Sequence, residues 1–255
     1  MFKLIEIFQL TIIFLLGLIF GSFANVCIYR LPKEKEILLG RSYCPDCKKK
    51  IFWYDNIPLI SIIILGAECR SCSKPISYNY FFVELLLGCL FLIIFYFFNN
   101  IVEVIFLQTI SLILVIIFFI DFKHFIIPDE LNYLLIFLGL VKNFLSNFQS
   151  SFLFDIYQSL LGGFIGFIII WAIIKLYLKL KNVEAMGFGD AKYMIFVGLM
   201  FGWQANLFVL FYAAILGLIF SMPALIKNKK NMKSQIPFGP FLIVSTLIYY
   251  FTGNS

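Results

Sequence analysis

The chain has 255 residues, 62% of them hydrophobic and 13% charged, with mean hydropathy +0.98 and a formal net charge of +6. This balance excludes an ordinary soluble domain. The basic residues are scattered over loops instead of clustered, so they read as a topology signal that meets anionic headgroups and not as a nucleic-acid footprint. The fold class expected is an all-α polytopic membrane protein, with the lipid bilayer as a partner and no nucleic acid.

A run of about 20 apolar residues crosses the hydrocarbon. By that measure about eight transmembrane helices are expected, at 4–28, 80–98, 102–120, 127–145, 153–178, 190–202, 203–226 and 236–251. The first is longer than a signal-peptide core and no small-x-small cleavage site follows it, so it is expected to be retained. Gly17-x-x-x-Gly21 gives it a small-residue face for close packing, and Gly162-x-x-x-Gly166 does the same in the fifth segment. The sixth segment is short and is divided from the seventh at Phe201-Gly-Trp-Gln. The apolar run 57–66 is too short to span and is expected in the core of a small domain. The boundaries expected are residues 1–29 for the first transmembrane helix, 30–79 for a Cys-rich loop domain and 80–255 for the remaining transmembrane domain.

With an outward N-terminus, the inner loops carry nine Lys and Arg residues between Arg30 and Lys74, then Lys123, Lys175, Lys179, Lys181, Lys192, Lys227, Lys229, Lys230 and Lys233. Only Lys3 and Lys142 remain outside, so the Cys-rich loop is expected in the cytoplasm.

That loop holds Cys44-Pro-Asp-Cys47 and Cys69-Arg-Ser-Cys72, two Cys-x-x-Cys turns separated by 21 residues. Two such turns can aim four thiolates at one centre, the tetrahedral sulfur cage that zinc prefers. A cytoplasmic loop disfavours disulfides, and a thiol redox pair would need one Cys-x-x-Cys and a βαβ surround. A small cytoplasmic zinc-binding loop domain with a four-cysteine site is therefore expected, with Cys44, Cys47, Cys69 and Cys72 as ligands of a closed, structural zinc. Such a site supplies folding free energy to a thin core. Cys27 and Cys89 read as packing residues.

The remaining chemistry is carboxylate. Asp121 lies in Asp121-Phe-Lys-His-Phe-Ile-Ile-Pro-Asp-Glu-Leu131, and Asp190 closes Met186-Gly-Phe-Gly-Asp190. A carboxylate beside hydrocarbon is costly and marks a functional site by default. Each also has a plain reading: Asp121 where a helix leaves the bilayer, Asp190 as an N-cap. Asp129, directly after Pro128, reads as a helix start. His124 is the single histidine and reads as interfacial. The topology places Asp121 and Asp190 on the same, cytoplasmic side. Facing each other in a dehydrated cleft, two carboxylates share one proton and become one general base and one general acid. A water between them can then attack a peptide carbonyl.

Beyond these residues, ordered motifs run through nearly the whole chain. They are Gly21-Ser-Phe-Ala-Asn-Val-Cys-Ile-Tyr-Arg-Leu-Pro32, Arg41-Ser-Tyr-Cys-Pro-Asp-Cys47, Asp55-Asn-Ile-Pro-Leu-Ile-Ser61, Cys69-Arg-Ser-Cys72, Pro75-Ile-Ser-Tyr-Asn-Tyr80 to Glu84, both aspartate motifs, and Ile236-Pro-Phe-Gly-Pro240. With them the chain resembles the bacterial type IV prepilin peptidases, or leader peptidase/N-methyltransferases, membrane aspartyl proteases of the Gly-x-Gly-Asp type. The resemblance implies that Asp121 and Asp190 are the catalytic pair and that residues 80–255 are the peptidase domain. It implies removal of the basic leader of type IV prepilins or pseudopilins, after a glycine at the cytoplasmic face of the inner membrane. It further implies N-methylation of the new N-terminus with S-adenosylmethionine, for which the sequence offers no Gly-rich binding turn. Asn25, Arg30, Asp55, Asn56 and Glu84 match family loop positions and serve either that reaction or the attachment of the loop. Gly66-Ala-Glu68 departs from the family's basic residue before the third cysteine, and Ile127 replaces the commoner leucine conservatively. The alternatives are a peptidase without methylation, an ion-relay protein with paired broken helices, and a membrane assembly factor that docks partners through its zinc loop.

Overall fold

The computed structural model describes residues 2–36, 42–44, 46–145, 152–182, 186–227 and 237–252. Arg41 and Pro45 of the first cysteine motif, Lys229, Lys230 and Lys233 of the last basic loop, and Ile236 lie outside the described residues.

Backbone in hydrocarbon must satisfy its own hydrogen bonds, and helices do so within one segment. The described residues form helices α1 (Phe2–Arg30), α2 (Ile60–Ile64), α3 (Asn79–Phe97), α4 (Ile101–His124), α5 (Asp129–Leu145), α6 (Phe152–Lys181), α7 (Phe188–Phe201), α8 (Trp203–Lys227) and α9 (Gly239–Thr252). Each of the eight apolar segments carries one of them. Five helices, α1, α3, α4, α6 and α8, are long and apolar enough to cross a membrane. The helices α5, α7 and α9, with 17, 14 and 14 residues, are shorter. The division between α7 and α8 falls at Gly202, whose φ of +84° admits glycine and little else.

The chain divides into two compact units, residues 1–116 and 117–255, with α4 running through the division. In the first unit α1 packs along α3. Gly17 lies against Gly88 and Gly21 against Glu84, where an added Cβ would come within 2.5 Å of the Glu84 Cα. The small-residue face expected from the sequence is thus a helix contact. The Asn25 side chain donates to the Tyr80 carbonyl at 3.0 Å, and Gln108 donates to the Phe91 carbonyl at 3.3 Å. These bonds satisfy polar groups that would otherwise be costly away from water.

In the second unit α7 is wrapped by α5, α6 and α8. Its Ala191, Tyr193, Met194 and Val197 are fully buried. A short helix that is apolar all round is shielded by protein and need not match the bilayer thickness itself. Gly162 packs on Gly198, which lets α6 and α7 approach backbone to backbone. Asn206 donates to the Gly162 carbonyl at 2.8 Å, and Tyr193 donates to Thr246 Oγ1 at 3.0 Å.

Two expectations need correction. Within residues 57–66 only Ile62 is buried, whereas Ile60, Ile63 and Ile64 are 52%, 70% and 73% exposed. A one-turn helix has a single inward face, so this run supplies the loop with little core. Of the two lone cysteines, Cys27 is buried as expected, but Cys89 is exposed on α3 and does not pack inside.

Candidate active site

Asp121 occupies the last turn of α4, just before the backbone turns at Phe125 with φ +59°. It is not a solvated marker of a helix end, being only 5% exposed. Its Oδ2 accepts the backbone N–H of Gly239, the first residue of α9, at 2.9 Å. Asp190 is 7% exposed and lies in the first turn of α7. The N-cap of that helix is Gly187, so Asp190 is not the cap itself. It sits three residues further in, and its Oδ2 accepts the Gly187 N–H at 3.2 Å. This is the side-chain half of a capping box, and it folds the Gly187-Phe-Gly-Asp190 turn onto its own carboxylate.

The two carboxylates belong to the same compact unit. Each is held by an amide at a helix start, where unpaired N–H groups and the helix dipole favour negative charge. Ile127 fits between the two arms: an added Cβ on Gly189 would lie 3.0 Å from the Ile127 Cβ, and one on Gly239 would lie 3.2 Å from its Cδ1. The end of α4 and the starts of α5, α7 and α9 therefore converge on one pair of carboxylates.

Further side chains fix that convergence. Asn132 on α5 is fully buried and donates to the Gly189 carbonyl at 3.1 Å. Lys192 on α7 pairs with Asp129 at 2.7 Å and reaches the Tyr133 hydroxyl at 3.3 Å. Asp129 is thus a helix-start residue, as expected, and also ties α5 to α7. His124 is exposed at the end of α4. Three residues of this arrangement had no place at the site in the sequence reading: Gly239, Asn132 and Lys192. A signal existed for two of them. Asn132 is an amide one turn after Pro128 in an apolar run, and Lys192 is a charge two residues after Asp190 within an apolar helix. Replacing Asn132 with alanine is expected to cost about 1 kcal/mol, because it removes the side-chain hydrogen bond that ties α5 to the Gly189 carbonyl. The unfolding midpoint in detergent measures this, and an unchanged midpoint would contradict the assigned bond.

In the loop, the sulfurs of Cys44, Cys47, Cys69 and Cys72 all lie within 4.8 Å of one another. The Cys44 and Cys72 sulfurs are 3.9 Å apart. A tetrahedron with metal–sulfur bonds of about 2.3 Å has edges of about 3.8 Å, so the cage already has the size of a zinc site. The two turns repeat one backbone pattern. Cys44 N–H donates to the Lys49 carbonyl at 3.0 Å, and Cys69 N–H to that of Lys74 at 2.9 Å. Each turn then closes through a left-handed residue, Lys48 and Ser73 respectively. Amide donors from Ser71 and Cys72 hold the Cys69 thiol below its ordinary value, at about 7, which favours the thiolate a metal needs. Lys74 pairs with Asp46 at 2.7 Å across the two turns, and Arg70 pairs with Asp55 at 2.7 Å.

Four of the five residues matched to family loop positions have partners within the chain, and the fifth, Asn56, is exposed. Asp55 receives Arg70, Asn25 holds Tyr80, Arg30 donates to the Glu36 carbonyl, and Glu84 accepts the Leu59 N–H. These bonds attach the loop, and no residue is assigned to S-adenosylmethionine.

Comparison with known proteins agrees along the chain. The Bacterial Peptidase A24 N-terminal domain matches residues 15–98, and the Type IV leader peptidase family matches residues 108–222. A prepilin leader peptidase/N-methyltransferase of Legionella pneumophila is 33% identical, covering 97% of this chain and 93% of its own length. Those of Vibrio cholerae and Aeromonas hydrophila are 32% and 30% identical, over 97% and 96% of this chain and 98% and 91% of theirs. No solved structure matches.

Proposed function

We propose that this chain, which belongs to the type IV leader peptidase family, removes the leader of prepilins or pseudopilins and N-methylates the new N-terminal residue. It is a membrane enzyme with protease and methyltransferase activity. The finer reading is that Asp121 and Asp190 are the peptidase's acid/base pair, placed at the cytoplasmic face of the bacterial inner membrane. The observation that carries it is the placing of two buried carboxylates, each pinned by a helix-start amide, around Ile127 in one unit.

The chemistry follows from a single shared proton. The ionised carboxylate takes a proton from a water as the water oxygen adds to the carbonyl carbon of the glycine that ends the leader. The protonated carboxylate donates to the carbonyl oxygen, stabilising the tetrahedral centre. Collapse breaks the carbon–nitrogen bond, and a proton passes to the leaving amine, which is the new N-terminus of the pilin. The Gly239 and Gly187 amides keep both carboxylates in place during the exchange. Burial excludes competing water.

Methyl transfer is assigned to the chain as a whole. S-adenosylmethionine supplies the methyl group. Cys44, Cys47, Cys69 and Cys72 would hold a structural zinc that stabilises the loop and takes no part in hydrolysis. Purified protein is expected to contain about one zinc per chain. Cys44→Ser is expected to lose it and to raise protease sensitivity between residues 46 and 78. Metal-free wild-type protein with an ordered loop would contradict the structural role.

The test of function uses purified enzyme in liposomes, a prepilin, and S-adenosylmethionine carrying a labelled methyl group. Leader removal is expected with or without the cofactor, and label is expected only on the shortened product. An intact leader with wild-type enzyme would refute the proposal.

A further inference from the structure

We infer that residues 52–64 of the cysteine loop lie in the bilayer interface, with the exposed side chains of Trp53, Ile60, Ile63 and Ile64 among the lipids. The inference concerns only the first unit and does not depend on the peptidase reading.

The depth of this segment is set by a single bond. The Leu59 N–H, immediately before α2, donates to the Glu84 carboxylate on α3 at 2.8 Å. Glu84 lies five residues inside α3, which at 1.5 Å per residue is about 7.5 Å below the start of that helix. Leu59 takes a φ of +59° to reach it, a conformation that β- and α-type residues avoid and that the surroundings must enforce. Helix α1 confirms the level, since Gly21 packs on Glu84 and Asn25 bonds to Tyr80.

At this level both long helices already present apolar side chains outward. Phe82 of α3 is 58% exposed, and Phe23 of α1 is 40% exposed. Both belong to helices long and apolar enough to cross a membrane. Helix α2 follows Leu59 directly, so its exposed isoleucines start from this level and continue the outward apolar surface. Trp53 precedes it at 75% exposure, and the short helical turn that carries Trp53 packs on α2. The exposed run Lys48-Lys49-Lys50 stands just before them. An aromatic and aliphatic face next to lysines is the composition of a segment lying in the headgroup–acyl boundary. Within the same segment the Asp55 carboxylate is paired to Arg70.

The occupant is the bilayer, because Leu59 ties α2 to Glu84 at a level where α1 and α3 already turn apolar side chains outward. The anchoring also accounts for a loop with so little core. Its apolar side chains are covered by lipid, while the cysteine cage holds the part beyond.

The test uses the full chain in vesicles of phosphatidylcholine and phosphatidylglycerol, with Trp171→Phe and Trp203→Phe leaving Trp53 as the reporter. Nitroxide labels are placed at the headgroup, near the top of the acyl chain, or near the midplane. Strongest quenching is expected from the label near the top of the chain, with little quenching by aqueous iodide. Iodide quenching without lipid quenching would overturn the inference. Shielding that appears only when a prepilin is added would overturn it as well, since the face would then belong to the substrate. A second measurement needs no substitution: a lipid with a photoactivatable group near the top of its chain is expected to label wild-type peptides spanning residues 51–68. Labelling confined to α1 and α3 would overturn it.

Discussion

Asp121→Asn and Asp190→Asn are each expected to lower leader removal by about 10³-fold or more, while the protein still inserts and folds. The size follows from losing one partner of an acid/base pair, a contribution of about 10²–10⁴. The amide substitution is close to isosteric. At position 121 its oxygen still accepts the Gly239 N–H, and at position 190 that of Gly187. The helix starts therefore stay pinned. What disappears is a group that takes and returns a proton at that atom. In a pair that shares one proton, either substitution also removes the partner's means of sharing it. The initial rate of prepilin shortening in proteoliposomes measures the effect, with zinc content and melting midpoint as controls for folding. Substantial cleavage by either variant would sink the pair.

Gly239→Ala carries the second large effect, at a residue with no chemistry of its own. An added Cβ would lie 2.6 Å from Asp121 Oδ2 and 3.0 Å from its Cγ. Both distances are shorter than carbon and oxygen tolerate, so the carboxylate must rotate or α9 must retreat. The same methyl would press on Ile127 Cδ1, and the Cβ of the same residue abuts the Gly189 arm. Displacement of about 1 Å at a reacting group costs about 10²-fold in rate, and that loss is expected here with the amount of inserted protein unchanged. The sharpest reading comes from comparison with Gly217→Ala, where an added Cβ meets only the Phe241 ring at 3.6 Å and 3.8 Å. That variant is expected to cleave normally. Equal rates for the two alanine variants would contradict the proposed contact.

The helical class and the order of the eight apolar segments were legible because hydrocarbon demands internally bonded helices, and because long apolar runs leave few alternatives. The cysteine cage was legible from spacing alone. The reason is local: each Cys-x-x-Cys turn closes on itself, and only the meeting of the two turns needs the fold. Asp121 and Asp190 were legible as costly charges, but what holds them was not. The Asp121–Gly239 bond joins residues 118 positions apart, and no period or spacing encodes such a contact. Asp190 was misplaced by one helical turn as a possible cap, since its Gly187 partner imitates an ordinary capping arrangement with the roles shifted. Ile60, Ile63 and Ile64 were misread for a different reason. An apolar side chain in a loop looks like core until the loop is found beside a membrane helix, where the outside is apolar too.

Mass spectrometry of a prepilin's N-terminus, after co-expression with wild-type enzyme, Asp121→Asn or Asp190→Asn, tests the central claim most directly. The wild type is expected to give the shortened chain carrying one added methyl group. Each variant is expected to give the full-length, unmethylated leader form. A shortened N-terminus from either variant would contradict the assignment of Asp121 and Asp190 as the pair that cuts.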